Sequence, residues 1–296
     1  MSDQRSMSLP VRVVGTDARE QEDWLAVEEP LEIRLGYEVN GLPEHKAISI
    51  TMRTPGEDDE LAAGFLFTEG ILTDAARIER MYHCGKPDPV TGLNNTMRVD
   101  LRPGVEVNLQ RLERHFYTSS SCGVCGKSSI AALRTTADRV ICRTGAGKQM
   151  RVSAGVIHAL PETLRQSQAV FARTGGLHAA ALFDVTGNLI ALREDVGRHN
   201  AVDKLIGARL LAGCMPLDEC LLLVSGRASF ELVQKAVMAG IPLLAAVGAP
   251  SSLAVQLARE FDMTLLGFVR DGRFNVYVEQ EGDCGLRNEW GVRNGE

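Results

Sequence analysis

Residues 220–270 read CLLLVSGRASFELVQKAVMAGIPLLAAVGAPSSLAVQLAREFDMTLLGFVR, and their rhythm decides the fold class. CLLLV is a short apolar run of the buried-strand kind, closed by the polar loop SGRAS. FELVQKAVMAG has helical spacing, IPLLAAV is a second apolar run, and GAPSS a second loop. The helix LAVQLARE and the strand TLLGFVR complete a β-α-β-α-β succession, which predicts an α/β domain with a mostly parallel central sheet. Right-handed crossovers bring both loops to one strand edge, beside helix N-termini that favour anions. Ser225 and Arg227 on the first loop, with Ser251 and Ser252 on the second, are therefore candidates for holding a phosphate or pyrophosphate. Serine capping is the plainer explanation of either loop taken alone.

Upstream, HAAALFDVTGNLIAL reads as a hairpin turning at TGN. It leads into REDVGRHNAVDK, which packs Arg193, Glu194, Asp195, Arg198, His199 and Asn200 between a strand and a helix. Asn200 reads as the cap of that helix, with Asp203 at the third position and Val202, Leu205, Ile206 and Leu210 as its apolar face. Capping gives Arg198 and His199 nothing to do, so they are candidates for polar-ligand binding. His178 enters an apolar strand and reads as a satisfied core residue. RVSAGVIHALPETLRQSQAVFART holds at least one helix, with Pro161 near a helix start.

The N-terminal part has a different texture. PLEIRLGYEVN, KAISITMR, NNTMRVDL and VEVNL read as strands. TPGEDDELAAGFLFTEG reads as a helix with Thr54 as N-cap, Pro55 at the first position, Glu57 completing a capping box and Gly70 ending it. The expected division is a flexible lead-in over 1–24, a small α+β domain over 25–115, an α/β domain over 116–284 and a tail over 285–296.

Composition narrows the function classes. The 296 residues carry a net charge of -6, and aromatics make up 5%, so neither a basic field nor a stacking stripe points to nucleic acid. The apolar runs are too short and too interrupted for a membrane span, the polar start MSDQRSMSLPVRVV is unlike an export signal, and a cytoplasmic location is expected. Seven cysteines in such a chain do not read as a disulfide scaffold. Cys142, Cys214 and Cys220 read as small buried hydrophobes.

Cys122 and Cys125 are different, lying three positions apart in YTSSSCGVCGKSSI. A structural zinc site needs about four ligands, and only His83 or Cys84 offers to complete the pair. A catalytic deaminase zinc site fails, because Ser121 stands where its Pro-Cys-x-x-Cys needs proline and no histidine begins His-x-Glu. A P-loop fails too, since the glycine required five positions before Gly126 is Ser121. A dithiol exchanger has the right spacing without the usual setting. Sulfur-atom transfer remains alongside it. A thiolate near a helix start, helped by Lys127, could hold a sulfane sulfur as a persulfide. Its neighbour could then release that sulfur, with Gly123 and Gly126 admitting an acceptor.

Taken together, EEPLEIRL, MRTPGEDDELAAGFLFTEGI, FYTSSSCGVCGKSSI, LHAAALFDVTGNLIALREDVGRHNAVDKLIG, SGRASFELVQKA and AGIPLLAAVGAPSSLAVQLA resemble the FdhD/NarQ family from Glu29 to about Val278. Gly248 departs from that pattern, where a serine is expected. The resemblance implies a sulfurtransferase that takes persulfide sulfur from a cysteine desulfurase and passes it to a bis(molybdopterin guanine dinucleotide) molybdenum cofactor destined for formate dehydrogenase. It implies Cys122 as the persulfide carrier and Cys125 as the second cysteine of the pair. It also implies cofactor binding through Phe268, Val269, Arg270, Asp271, Gly272 and Arg273. The cofactor is then a bound substrate, with no metal site and no permanent cofactor. A cytidine-deaminase-like three-layer main domain and a homodimer are further implications. The alternatives left standing are a thiol-disulfide oxidoreductase and a zinc-stabilised interaction module.

Overall fold

The computed structural model describes residues 4–107 and 152–280. Cys122, Cys125 and Cys142 lie outside the described residues. The chain divides into two compact units that interleave in sequence. One contains the described N-terminal residues together with Gln168–Ala179 and Arg193–Cys214. The other contains the described residues up to Ser167, then Ala180–Leu192, and continues from Met215. The second excursion of the first unit carries the REDVGRHNAVDK motif, which a contiguous division would have given to the C-terminal part.

In the first unit, β3 (Glu29–Val39) and β4 (Leu42–Arg53) form an antiparallel hairpin. β5 (Ile78–His83) and β6 (Thr96–Leu101) complete a four-stranded sheet of order β4-β3-β6-β5, in which β3 and β6 run parallel. Leu31, Ile33 and Leu35 alternate into the core from β3 and meet Val99 from β6. Residues 1–24 were expected to be a flexible lead-in. Instead β1 (Ser6–Val14) and β2 (Ala18–Ala26) pair antiparallel from Ser6–Ala26 to Val14–Ala18. β1 does alternate, with Met7, Leu9, Val11 and Val13 against Ser8, Pro10 and Arg12, whereas the charged, mostly exposed β2 shows no such period. Part of their support is tertiary, with Arg173 stacking over the ring of Trp24 on β2. The expected strand at VEVNL is not formed over its described residues 105–107, which follow a turn at Pro103 and Gly104.

Two helices of this unit meet at a close crossing. α1 (Asp58–Thr68) and α4 (Arg198–Leu211) touch through Gly64 and Gly207. A Cβ on Gly64 would run into the backbone carbonyl of Asp203, and one on Gly207 into that of Glu60. Thr68 on α1 ties the same crossing through a 2.8 Å bond from its hydroxyl to Asp203. The predicted apolar face of α4 is correct: Val202, Leu205, Ile206 and Leu210 are all buried.

The second unit holds a six-stranded sheet of order β12-β11-β10-β9-β7-β8. Its strands are β7 (His178–Phe183), β8 (Leu189–Asp195), β9 (Leu221–Val224), β10 (Leu243–Ala246), β11 (Thr264–Arg270) and β12 (Arg273–Val278). β9, β10 and β11 are parallel, as the β-α-β-α-β reading requires. β12 is antiparallel to β11, and β7 is antiparallel to β9. The sheet is therefore mixed rather than mostly parallel. The two-residue connection Asp271–Gly272, with φ of 53° and 69°, is too short for a crossover and can only join antiparallel neighbours. Helices α5 (Phe230–Met238) and α6 (Ser252–Glu260) are the crossovers, and α2 (Ala154–Ser167) packs on β11. Pro161 sits inside α2 rather than at a helix start. The short α3 (Ala169–Thr174) follows it in sequence and belongs to the first unit. Among the described residues no helix is long and apolar enough to cross a membrane.

The α1–α4 crossing makes a direct prediction. Gly207→Ala must push the two helix backbones apart, so it should cost about 3 kcal/mol or more in chemical denaturation. Ala208→Gly next to it, which adds no atom, should lose only about 1 kcal/mol of helix propensity.

Candidate functional site

The predicted phosphate loops do share one edge of the second unit's sheet. The loop after β9 and the loop after β10 are stitched by backbone hydrogen bonds. Gly248 N–H donates to Gly226 O at 2.9 Å, and Ser251 N–H to Ala228 O at 2.9 Å. The end of β11 joins them, with Phe268 N–H donating to Gly248 O at 3.1 Å. Ser225, Arg227, Ser251 and Ser252 thus lie on two loops stitched to each other, and Phe268, which opens the segment to Arg273, joins them to form a rim.

The chain's local choices allow this close stitching. At Gly267 a Cβ would stand 2.8 Å from Pro250 and 2.9 Å from the ring of Tyr277, so only glycine lets β11 pass. The register between β11 and β12 shifts between Gly267 and Arg270, and Phe268 takes a φ of 53° at this bulge. A bulge of this kind re-aims a side chain at the end of a strand. Gly248 is similarly confined, with a Cβ meeting Gly226 O at 3.0 Å and Arg227 Cγ at 3.1 Å. A serine there would need its neighbours to shift by a few tenths of an ångström.

The rim's side chains divide by task. Ser251 Oγ accepts from Ala254 N at 3.2 Å and caps α6, the plainer role its loop position allowed. Arg227, Ser252, Arg270, Asp271 and Arg273 are exposed, and Arg270 stands 5.7 Å from the ring centroid of Phe268. Val269 is buried and serves the core. An exposed group of arginines with serine hydroxyls at helix N-termini can take an anionic ligand such as a diphosphate.

Arg198 and His199 lie in the first unit, at the first turn of α4, and are not part of that rim's unit. Asn200 does not cap the helix as expected. Gly197 holds the cap position, and Asn200 is buried inside the first turn. Its Nδ2 donates to Met52 O at 2.7 Å and to Asp195 Oδ1 at 3.1 Å, while its Oδ1 accepts from Thr51 at 3.0 Å. Thr54 does not cap α1 either; Glu57 holds that position without a side-chain capping bond. Thr54 N–H donates to Asp195 Oδ2 at 3.1 Å, and its hydroxyl accepts from Val196 N at 3.2 Å. Lys204, wholly buried, places Nζ 2.9 Å from Asp195 Oδ2 and 2.8 Å from Thr54 O. Sequence reading missed this network, since it placed Asp195 in a polar cluster and gave Lys204 no role. Their nine-residue spacing across a strand-helix junction carries no local signal.

The network positions the start of α4 and therefore Arg198 and His199. Arg198 Nε is buried without a hydrogen-bond partner among the described residues. His178, expected to be a satisfied core residue, is only half-buried at the start of β7 and sits within the field of the same cluster. Burial pushes its pKa down, the charges of Arg198 and His199 push it further down, and Asp195 opposes them. Arg198 and His199 therefore stand close enough to bias the His178 imidazole toward its neutral form. Elsewhere, Cys214 is exposed and Cys220 partly so, not buried as expected. Cys214 stands just beyond the end of α4, its Sγ 3.5 Å from Ala212 O. No cluster of three metal-ligating side chains occurs among the described residues.

The FdhD/NarQ family profile matches residues 26–282, and the chain belongs to this family. It is 55% identical over 258 residues to the sulfur carrier protein FdhD of Streptomyces avermitilis, covering 86% of this chain and 87% of that one. It is 51% identical over 261 residues to the protein of the same name from Mycobacterium tuberculosis, covering 87% and 90%. A crystal structure from Desulfotalea psychrophila, described as that of a formate dehydrogenase accessory protein, superposes with a TM-score of 0.67 over 93% of this chain and 98% of the other. At 24% identity that likeness speaks for the fold.

Two outcomes test the polar network. Lys204→Met leaves Asp195 buried and uncompensated, and should lower unfolding stability by about 3–5 kcal/mol. Arg198→Ala removes a cation from beside His178, so the His178 pKa, followed by NMR titration, should rise; an unchanged value would show that the two side chains are not electrostatically coupled.

Proposed function

We propose that this protein is a sulfur carrier of the sulfurtransferase class, which relays persulfide sulfur in the maturation of the molybdenum cofactor of formate dehydrogenase. Membership of the FdhD/NarQ family, across residues 26–282, is the observation that carries this reading. Cys122 accepts the sulfur from a cysteine desulfurase as a persulfide, and Cys125 assists its release. The acceptor is a bis(molybdopterin guanine dinucleotide) molybdenum cofactor, bound as substrate before it passes to formate dehydrogenase.

The rim of the second unit suits the diphosphate and guanine ends of such a substrate. Arg227 and Arg270 supply charge-assisted donors, Ser252 stands at a helix N-terminus, and the Phe268 bulge offers a ring to a purine. Arg198 adds a cationic donor in the first unit, and His199 an imidazole. The hairpin β7–β8 set beside three parallel strands supports assigning the second unit to the deaminase-like class. A cytoplasmic homodimer completes the proposal.

Mass spectrometry tests the carrier. After incubation with a cysteine desulfurase and cysteine, Cys122 should gain one reducible sulfur, and Cys122→Ala should gain none. Labelling confined to Cys214 would overturn the assignment. Rapid reduction of insulin would favour a dithiol oxidoreductase, and near-stoichiometric zinc whose removal unfolds the protein would favour a metal-stabilised module. Titration calorimetry tests the rim. GDP should bind more tightly than ADP, and Arg227→Ala should weaken GDP about tenfold while sparing sulfur loading. Equal GDP affinity in both proteins would remove Arg227 from the site.

A further inference from the structure

Arg227 and Gly248 sit side by side on the two loops of the rim. Arg227 is held through both of its neighbours in sequence. Gly226 O accepts from Gly248 N–H at 2.9 Å, and Ala228 O accepts from Ser251 N–H at 2.9 Å. Ala228 also forms a parallel bridge with Pro250. Gly248 is held from its other side as well, where its carbonyl accepts from Phe268 N–H at 3.1 Å.

The backbone conformation of Gly248 does not itself call for glycine, since its φ lies outside the left-handed region. Its neighbours call for it. A Cβ at 248 would stand 3.0 Å from Gly226 O, 3.1 Å from Arg227 Cγ and 3.2 Å from Arg227 Cα. The stem of Arg227 therefore lies against Gly248, in the place a side chain there would occupy. Two of the three atoms crowded by a Cβ are backbone, and backbone bonded on both sides does not yield as a free side chain would.

The far end of Arg227 is different. The residue is exposed, and its guanidinium makes no hydrogen bond or ion pair among the described residues. Arg270 on the same rim has its Nε 3.8 Å from Asp271 and its guanidinium 5.7 Å from the Phe268 ring. Arg227 thus combines a seated stem with an uncommitted head. A long side chain ordinarily loses much rotamer freedom when a ligand immobilises it. Seating the stem beforehand removes part of that loss.

The geometry points to Gly248 as a positioning residue of the rim: by lacking a Cβ it seats the stem of Arg227 and so aims the guanidinium at the diphosphate of a bound nucleotide. This assignment rests on the reading of the rim as a guanine-nucleotide site, and it adds a residue that acts on the ligand only through Arg227. A Cβ at 248 leaves the charge of Arg227 in place and takes away its direction.

A double-mutant cycle on the full chain, with GDP as the probe in titration calorimetry, tests the assignment. Far-UV circular dichroism and thermal unfolding verify that each variant is folded. Gly248→Ala should weaken GDP about threefold to tenfold, the cost of ordering one long side chain on binding. In an Arg227→Ala background the same change should alter GDP affinity by less than about twofold. A merely structural role for Gly248 would give additive losses, which overturn the assignment and leave the GDP site standing. Unchanged GDP affinity in Gly248→Ala overturns it as well. A wild-type chain that does not bind GDP overturns the reading of the rim, and this assignment with it. NMR on the wild-type chain gives an answer that does not depend on the variants folding. A nuclear Overhauser contact between Gly248 Hα and Arg227 Hγ should be present without nucleotide and persist with GDP, and its absence in either state overturns the assignment.

Discussion

Lys204 is wholly removed from solvent, and its ammonium group must be answered on the spot. Asp195 and the carbonyl of Thr54 answer it, and each then commits its remaining atoms. Asp195 receives the N–H groups of Thr54 and Gly197 and the amide of Asn200, while Asn200 reaches back to Thr51 and Met52. The end of β4, the entry to α1 and the first turn of α4 are thereby one hydrogen-bonded object. The same α4 also carries Gly207, which with Gly64 lets the backbones of α1 and α4 touch. Buried charge is a poor source of net stability but a strict one of geometry, since any slip leaves an ion unpaired.

The same logic appears on the other unit with backbone instead of charge. Three successive strand ends are sewn together by N–H to carbonyl bonds through Gly226, Gly248 and Phe268. Each seam spends backbone groups on structure and leaves side chains at the rim for other uses. Ser251 was spent too, on its helix, while Arg227 and Arg270 were not drawn into the core. Exposed arginines on a backbone held this way need little backbone reordering to meet an anion.

Local rules failed where long-range partners competed for the same atoms. Thr54-Pro55-Gly56-Glu57 satisfies the pattern of a capping box, yet the Thr54 hydroxyl is taken by Val196, which lies 142 residues away. Asn200 was a good local cap, but its amide found better employment with Asp195 and Met52. In both cases the residue type was right for hydrogen bonding, and burial chose a different partner. The β1–β2 hairpin was overlooked for another reason: β1 alternates at Met7, Leu9, Val11 and Val13, but its partner β2 is charged and mostly exposed and shows no period to pair with it.

Strand and helix order in residues 220–270, the shared edge of the two serine loops and the apolar face of α4 were legible in sequence, because each rests on a period or a crossover rule acting over a few neighbours. Family membership was legible as well, since its motifs are contiguous stretches. Tertiary structure alone decided that the sheet is mixed, that 168–179 and 193–214 join the N-terminal unit, and that Arg227 lies against Gly248. Those outcomes depend on pairings between residues far apart in the chain. No local spacing encodes them, because the desolvation that selects such partners exists only once the chain has closed around them.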